Sequence, residues 1–238
     1  MGNLPFGNGP LHEHYFMSTV QFETDSVRIP LRVTDLSSFR RWAEADDFPD
    51  KATVCYLKGE VWVEMSKEQL YSHNQVKTEF ARVLAGLVKQ YRLGRYFGDG
   101  LFVTNVAADL SSKPDGTFVS RAALSANRVQ LVEGLLEGFV EIEGSPDMVL
   151  EVVSASSVSK DCQLLRELYW KAGIAEYWLV DCRGDRIDFD ILRHAASGYT
   201  AASKTEGWIE SAIFGHTFLL SRQRDELGHP EYTLETKN

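Results

Sequence analysis

Residues 145–181 read SPDMVLEVVSASSVSKDCQLLRELYWKAGIAEYWLVD, and the fold class follows from them. Met148 to Val153 is almost continuously apolar, the pattern of a central strand buried on both faces. A helix is expected from about Ser159 to Ala172, closed by Gly173, because glycine tolerates the left-handed conformation in which many helices end. Ala175 to Asp181 (AEYWLVD) then reads as a second buried strand. Helices interleaved with strands imply a mixed sheet with helices packed on it.

The flanking sequence extends this pattern. Residues 52–66, ATVCYLKGEVWVEMS, alternate on either side of Lys58-Gly59, which predicts a β-hairpin. Val76, Phe80, Val83, Leu84 and Leu87 form one apolar face of a helix expected from about Lys67 to Tyr91. Gly94 to Val106 reads as a strand pair or a bulged strand, and Lys113 to Ser120 as a short strand after a proline. Arg121 to Ile142 suggests a turn with a short helix or an extended segment. Near the N-terminus, Thr34 is the expected cap of a short helix, Asp35 to Ala45. Downstream, Ile187, Phe189 and Ile191 alternate with Asp188 and Asp190, marking a strand with one wet face. Further hairpin material ends with Phe214 to Leu220 (FGHTFLL). The expected class is α/β (α+β): a central mixed β-sheet flanked by helices, with added β-hairpins.

Length and composition narrow the setting. At 238 residues, the chain suits a single domain over residues 26–238 after a flexible tail over residues 1–25. No apolar run approaches the roughly 20 residues of a membrane helix, and the N-terminus lacks the basic start and apolar stretch of a signal peptide. Cys55, Cys162 and Cys182 are scattered, with no CxxC pair. They indicate neither a zinc site nor a disulfide framework, and a reducing cytoplasm is expected. The net charge is −9. That opposes nonspecific DNA binding, which depends on Lys and Arg, although local patches matter more than totals.

The chemistry concentrates on carboxylates. Asp147 and Glu151 lie four residues apart in the central strand, so strand alternation aims both to one face. Two acids on a face of an apolar strand need compensation, and a hard divalent cation with oxygen ligands supplies it most simply. Asp115, in a Pro-Asp-Gly that is also an ordinary turn signal, offers a further carboxylate.

Together these pieces resemble the Uma-two family, a restriction-endonuclease-like family of the PD-(D/E)XK superfamily. The matching residues are Pro146-Asp147, Glu151 to Ser154, Asp161, Tyr169, Ala172-Gly173 and Glu176-Tyr177-Trp178. Lys58-Gly59-Glu60, Met65-Ser66, Ser72-His73 and Pro114-Asp115 match upstream. The similarity runs from about Lys51 to Asp190. It implies a core of helix, three strands, helix and strand. It also implies Asp115 and Glu151 as ligands of Mg²⁺, with Mn²⁺ as a substitute, in a site that cleaves a phosphodiester. Such sites normally use a lysine to orient the nucleophile and stabilise charge. The two expected positions hold Val153 and Leu165 instead. Lys160, Arg166 and Lys171 are the nearby cations, and Arg166, three residues before Tyr169 on one helix face, is the expected stand-in.

His73 is placed beside the site by the resemblance, contacting a phosphate or hydrogen-bonding Glu60, and Glu60 becomes an accessory acid. Asp161 also suits an ordinary helix-start acid. Tyr169, Trp170, Tyr177 and Trp178 read as packing aromatics. No nucleophile elbow, Walker loop or H-E-x-x-H is present. The expectation is an Mg²⁺-dependent endonuclease acting on DNA, with a homodimer suited to cutting a duplex symmetrically. The alternative is a nuclease-derived binding module without catalysis.

Overall fold

The long apolar runs meet partners distant in sequence, so the topology is set by strand order rather than by local hairpins alone. The computed structural model describes residues 18–21, 26–49, 52–136 and 138–238. In chain order these give β1 (Ser18–Gln21), β2 (Ser26–Ile29), α1 (Leu36–Ala43), β3 (Thr53–Leu57), β4 (Glu60–Glu64), α2 (Val76–Tyr91), β5 (Gly94–Gly98), β6 (Phe102–Asn105) and β7 (Leu110–Ser112). β8 (Gly116–Ser120), α3 (Arg121–Ser125), β9 (Val129–Glu133), β10 (Phe139–Gly144), β11 (Met148–Val152), α4 (Arg166–Lys171) and β12 (Glu176–Asp181) follow. The chain closes with β13 (Asp188–Ala195), β14 (Gly198–Ala201), β15 (Lys204–Thr205), β16 (Trp208–Ser211), β17 (His216–Arg224) and β18 (Pro230–Lys237).

The sheet that carries the site runs β14-β13-β12-β11-β8-β5. β11 pairs parallel with β12 and antiparallel with β8. A parallel pair needs a crossover, and α4 supplies it. Met148, Leu150 and Val152 pack with Phe80 and Leu84 of α2 on one face. Val149 packs with Leu165, Leu168 and Tyr169 on the other. Each of these buried apolar side chains stabilises the fold by roughly 1.5–3 kcal/mol, so the strand can tolerate one buried carboxylate. The order α2, β5, β8, β11, α4, β12 is the expected core of helix, three strands, helix and strand.

A second six-stranded sheet, β4-β3-β7-β6-β10-β9, lies beside this core, and β15 to β18 form a four-stranded sheet. The latter covers β12: the Trp178 ring packs 4.8 Å from Phe218, edge to face.

Several local expectations shift. Asp35, not Thr34, caps α1, because its side chain accepts from the Ser38 amide while Ser38 returns a bond to the Asp35 amide. The helix expected from Lys67 begins as a π-helical turn, Leu70–Gln75, and becomes α-helical at Val76. A second π-helical turn, Lys160–Leu165, precedes α4. β5 and β6 are not a pair: β5 joins β8 and β6 joins β7 and β10, with the chain crossing between sheets at Asp99-Gly100. Residues 121–142 resolve into a short helix followed by an antiparallel strand pair. The expected tail falls largely outside the described residues, but Ser18–Gln21 within it pairs with β2. Gly173 ends α4 at φ +73°, the left-handed position that favours glycine.

Candidate active site

Strand register brings Asp115 to Glu151. β8 and β11 pair Leu150 with Gly116, so one further step sets Asp115 opposite Glu151. The Asp115 Oδ2 accepts the Val152 amide at 2.7 Å, which fixes the carboxylate against the strand end. A Cβ at Gly116 would meet the Tyr96 hydroxyl, so a larger residue there would force that ring to move. Both acids line a cavity of about 170 Å³.

Burial is the main electrostatic influence on both. It raises the Asp115 carboxyl to about 6, against the pull of Lys77 and His73. Glu151 is 3% exposed. Burial, followed by the like charges of Asp161 and Asp115, drives its carboxyl well above the usual range, with Lys160 opposing. Tyr169 donates its hydroxyl proton to Glu151 Oε1 at 2.6 Å and has Ser112 3.0 Å behind it. Tyr169 is thus more than a packing aromatic, since it orients the acid.

The second π-helical turn delivers Lys160 and Asp161 to the same cavity. π-Helical turns are rare and frequent at functional sites. The Lys160 ammonium lies 3.2 Å from Asp161 Oδ1 and 3.5 Å from Glu64 Oε2. Burial opposes its charge, but Glu151, Asp161 and Glu64 outweigh that and hold it protonated beyond the ordinary lysine range. Ser157 donates to Asp161 Oδ2, while Oδ1 is buried without a well-aligned hydrogen bond.

α2 and its leading turn supply the opposite wall. Lys77 lies 2.7 Å from Asp99, 2.5 Å from Glu68 and 3.5 Å from Asp115. His73 Nδ1 is 2.8 Å from Glu68, and its Nε2 is 3.9 Å from Asp115. Lys113 also lines the cavity, its ammonium 4.4 Å from the Phe102 ring centre, and burial lowers its pKa.

A model of the Uma2 family, described as "Putative restriction endonuclease", matches residues 36–214, well over half of the chain. The chain belongs to the Uma2 family. The crystal structure of "a putative nuclease belonging to DUF820" from Anabaena variabilis superposes with a TM-score of 0.56. It is 18% identical, and the match covers 77% of this chain and 91% of that one. At that identity the likeness concerns the fold, which is nuclease-like. No curated protein matches the chain.

Within this Uma2 chain, the sequence-derived residues separate into two groups. Asp115, Glu151 and His73 share the cavity, and Asp147, Arg166 and Glu60 do not line it. Asp147 has the right strand face but the wrong end, about 13 Å from Glu151 at strand rise. Its carboxylate accepts from Arg128 at 2.5 Å and from the Ser120 amide at 2.6 Å. Glu60 repeats this error on β4: it is exposed, while Glu64, four residues on, lines the cavity. The hydrogen-bond partner of His73 is accordingly Glu68, not Glu60. Arg166 lies six residues beyond Lys160, past the π-helical turn, and it donates to the Tyr199 carbonyl at 3.2 Å. Lys160 is the cation beside Glu151. Asp161 is 1% exposed rather than a solvated helix-start acid. Glu64, Glu68, Lys77, Asp99 and Lys113 escaped sequence reasoning. The adjacency of Lys113 to Pro114-Asp115 and the alternation that sets Glu64 on the face of Trp62 were signals available for two of them.

No group of three His, Cys, Asp or Glu side chains spaced to hold a metal ion occurs among the described residues. The donor set nevertheless fits a hard divalent cation. Once deprotonated, Asp115 and Glu151 would present acceptor-only oxygens whose mutual repulsion such an ion would relieve. With two protein ligands, water and substrate oxygens would complete the coordination, as is usual for Mg²⁺. Among the described residues no helix is long and apolar enough to cross a membrane.

Proposed function

We propose that this protein is a Mg²⁺-dependent nuclease that hydrolyses phosphodiester bonds in DNA. The observation that supports it is the convergence of Asp115, Glu151 and Lys160 on one cavity in a chain of the Uma2 family. Asp115 and Glu151 would hold the metal, with Mn²⁺ as its substitute. When bound, the metal lowers the pKa of a coordinated water and neutralises charge on the phosphate.

The other roles follow from the side chains. Tyr169 fixes one oxygen of Glu151, which lines the cavity. Lys160 remains protonated, so it acts on developing phosphate charge rather than as a base. Lys113, whose ammonium is destabilised by burial, is better suited to exchange a proton with water or the leaving oxygen. His73 and Lys77 bracket Asp115 from α2 and its leading turn. The cavity wall sets three lysines among six carboxylates, so its attraction for phosphate would come from the bound cation together with those lysines rather than from the protein charges alone.

The test is Mn²⁺ located by anomalous scattering in wild type and in Glu151→Ala, together with cleavage of labelled DNA. The expected result is an ion between Asp115 and Glu151, absent from the variant, and Mn²⁺-dependent cutting that is lost with it. Absence of bound ion and of cutting would instead support a nuclease-derived binding module.

A further inference from the structure

Beside the carboxylate cavity lies a second one of about 280 Å³. Thr53, Glu64 and Lys160 line both. The remaining wall is different in kind, formed by Cys55, Trp62 and Met65 of the β3–β4 hairpin, with Ser156 at one side. Its size is near the lower end of small-molecule pockets, about 300 Å³.

Strand alternation explains the juxtaposition. Trp62 and Glu64 occupy one face of β4, one two-residue step apart, about 7 Å at strand rise. Trp62 pairs in register with Cys55, whose small side chain leaves the indole beside open space. The indole N–H is buried and has no acceptor in the protein. Tryptophan N–H groups normally find a partner when buried, because leaving one unmade is costly. A flat apolar wall directly beside the cavity that would hold the phosphate describes a site for a nucleotide.

We infer that this slot receives the base of the nucleotide next to the phosphate held at Asp115 and Glu151, removed from any base stack. The inference rests on the nuclease reading and deepens it by naming the form of the substrate. A base has a π face that can stack on the indole lining the slot. Within a duplex that base is stacked and paired, so it reaches such a slot only from a single strand, a frayed end or a flipped nucleotide. The preferred substrate is therefore DNA that is unpaired at the cut.

The experiment measures binding of the full-length protein to a short single-stranded oligodeoxynucleotide in Mn²⁺, and again in EDTA. Each base is replaced in turn by an abasic residue, and the matched duplex is run alongside. One abasic position should weaken binding about tenfold, the size of one base–aromatic stack, and the duplex should bind more weakly than the strand. Trp62→Ala should bind the intact strand as weakly as wild type binds that abasic one, and should no longer distinguish them. Trp62→Phe, which keeps a smaller ring to stack on, should retain part of the difference, with a thermal melt checking its fold. An abasic scan without any sensitive position, full sensitivity in Trp62→Ala, or a duplex bound and cut as well as the strand would overturn the inference. The two readings fail separately: loss of Mn²⁺ binding in Glu151→Ala concerns the metal, whereas the abasic profile in EDTA concerns the slot.

Discussion

The two ends of β11 carry a carboxylate each, and they behave in opposite ways. Asp147, at the entrance, is buried but fully engaged: Arg128 and the Ser120 amide both donate to it. Glu151, near the exit, has one donor, Tyr169, and two acidic neighbours that push its proton affinity up. One end uses an acid to fasten the strand to the β8–α3 corner. The other gathers like charges that the fold alone does not neutralise. Burial of an acid is therefore a poor guide to function by itself, and the balance between donors and like charges separates the two.

Substitutions at the exit test this contrast most severely. Glu151→Gln, nearly the same shape, should remove cutting by at least about 10³-fold, because the metal chemistry would be lost. The metal-free fold should survive, since the change removes a charge that burial disfavours. Cutting of DNA by that variant at the wild-type rate would exclude Glu151 from the metal site. Lys160→Met should lower the cleavage rate by about 10²-fold or more while Mn²⁺ still binds, as for loss of one charge-stabilising donor. Equal loss of Mn²⁺ binding would mean that Lys160 organises the acids instead. Tyr169→Phe should weaken Mn²⁺ binding about tenfold, the lower range for removing a group that orients a ligand.

The entrance should respond in stability rather than activity. Asp147→Ala should cost about 2 kcal/mol, the scale of hydrogen bonds to a charged group, read by urea unfolding, with Mn²⁺ affinity unchanged. The pH dependence separates the two ends in a second way. The Asp115 carboxyl stands near 3.8 when unfolded and is raised to about 6 in the fold. A raised acid binds its proton more tightly in the native state, so its contribution is present below about 3.8 and is lost as pH rises through about 6. Metal-free protein should thus lose stability across that window, and Mn²⁺ should raise Tm more at pH 7.5 than at pH 5. In Asp115→Asn the metal-free pH slope in that window should flatten. Glu60→Ala, on an exposed strand end, should change stability by less than about 0.5 kcal/mol.

The contrast between Arg166 and Lys160 shows where sequence reasoning stopped. An ordinary helix from Ser159 made Arg166 the natural partner of Tyr169's face. The π-helical turn instead turns Lys160 toward Glu151, and its widened geometry has no strong local signature in KDCQLL. The same limit applied to β4, where alternation set Trp62 and Glu64 against Val61 and Val63 but did not fix which end of the strand meets the cavity.

Read along the chain, the amino acids were enough to establish the buried strand at Met148–Val152, the helix and strand that follow, the family resemblance and the pairing of Asp115 with Glu151 as candidate ligands. The elements rest on periodicity and caps, which are local in the chain, and the pairing of Asp115 with Glu151 rests on what the family resemblance implies. Which further side chains meet those acids was settled by the three-dimensional fold. Lys77, Glu64 and Lys160 come from three separate elements and share one cavity. Their encounter depends on strand register and helix phase, where a displacement of four residues along a strand moves a side chain about 13 Å and changes its role from ligand to strut.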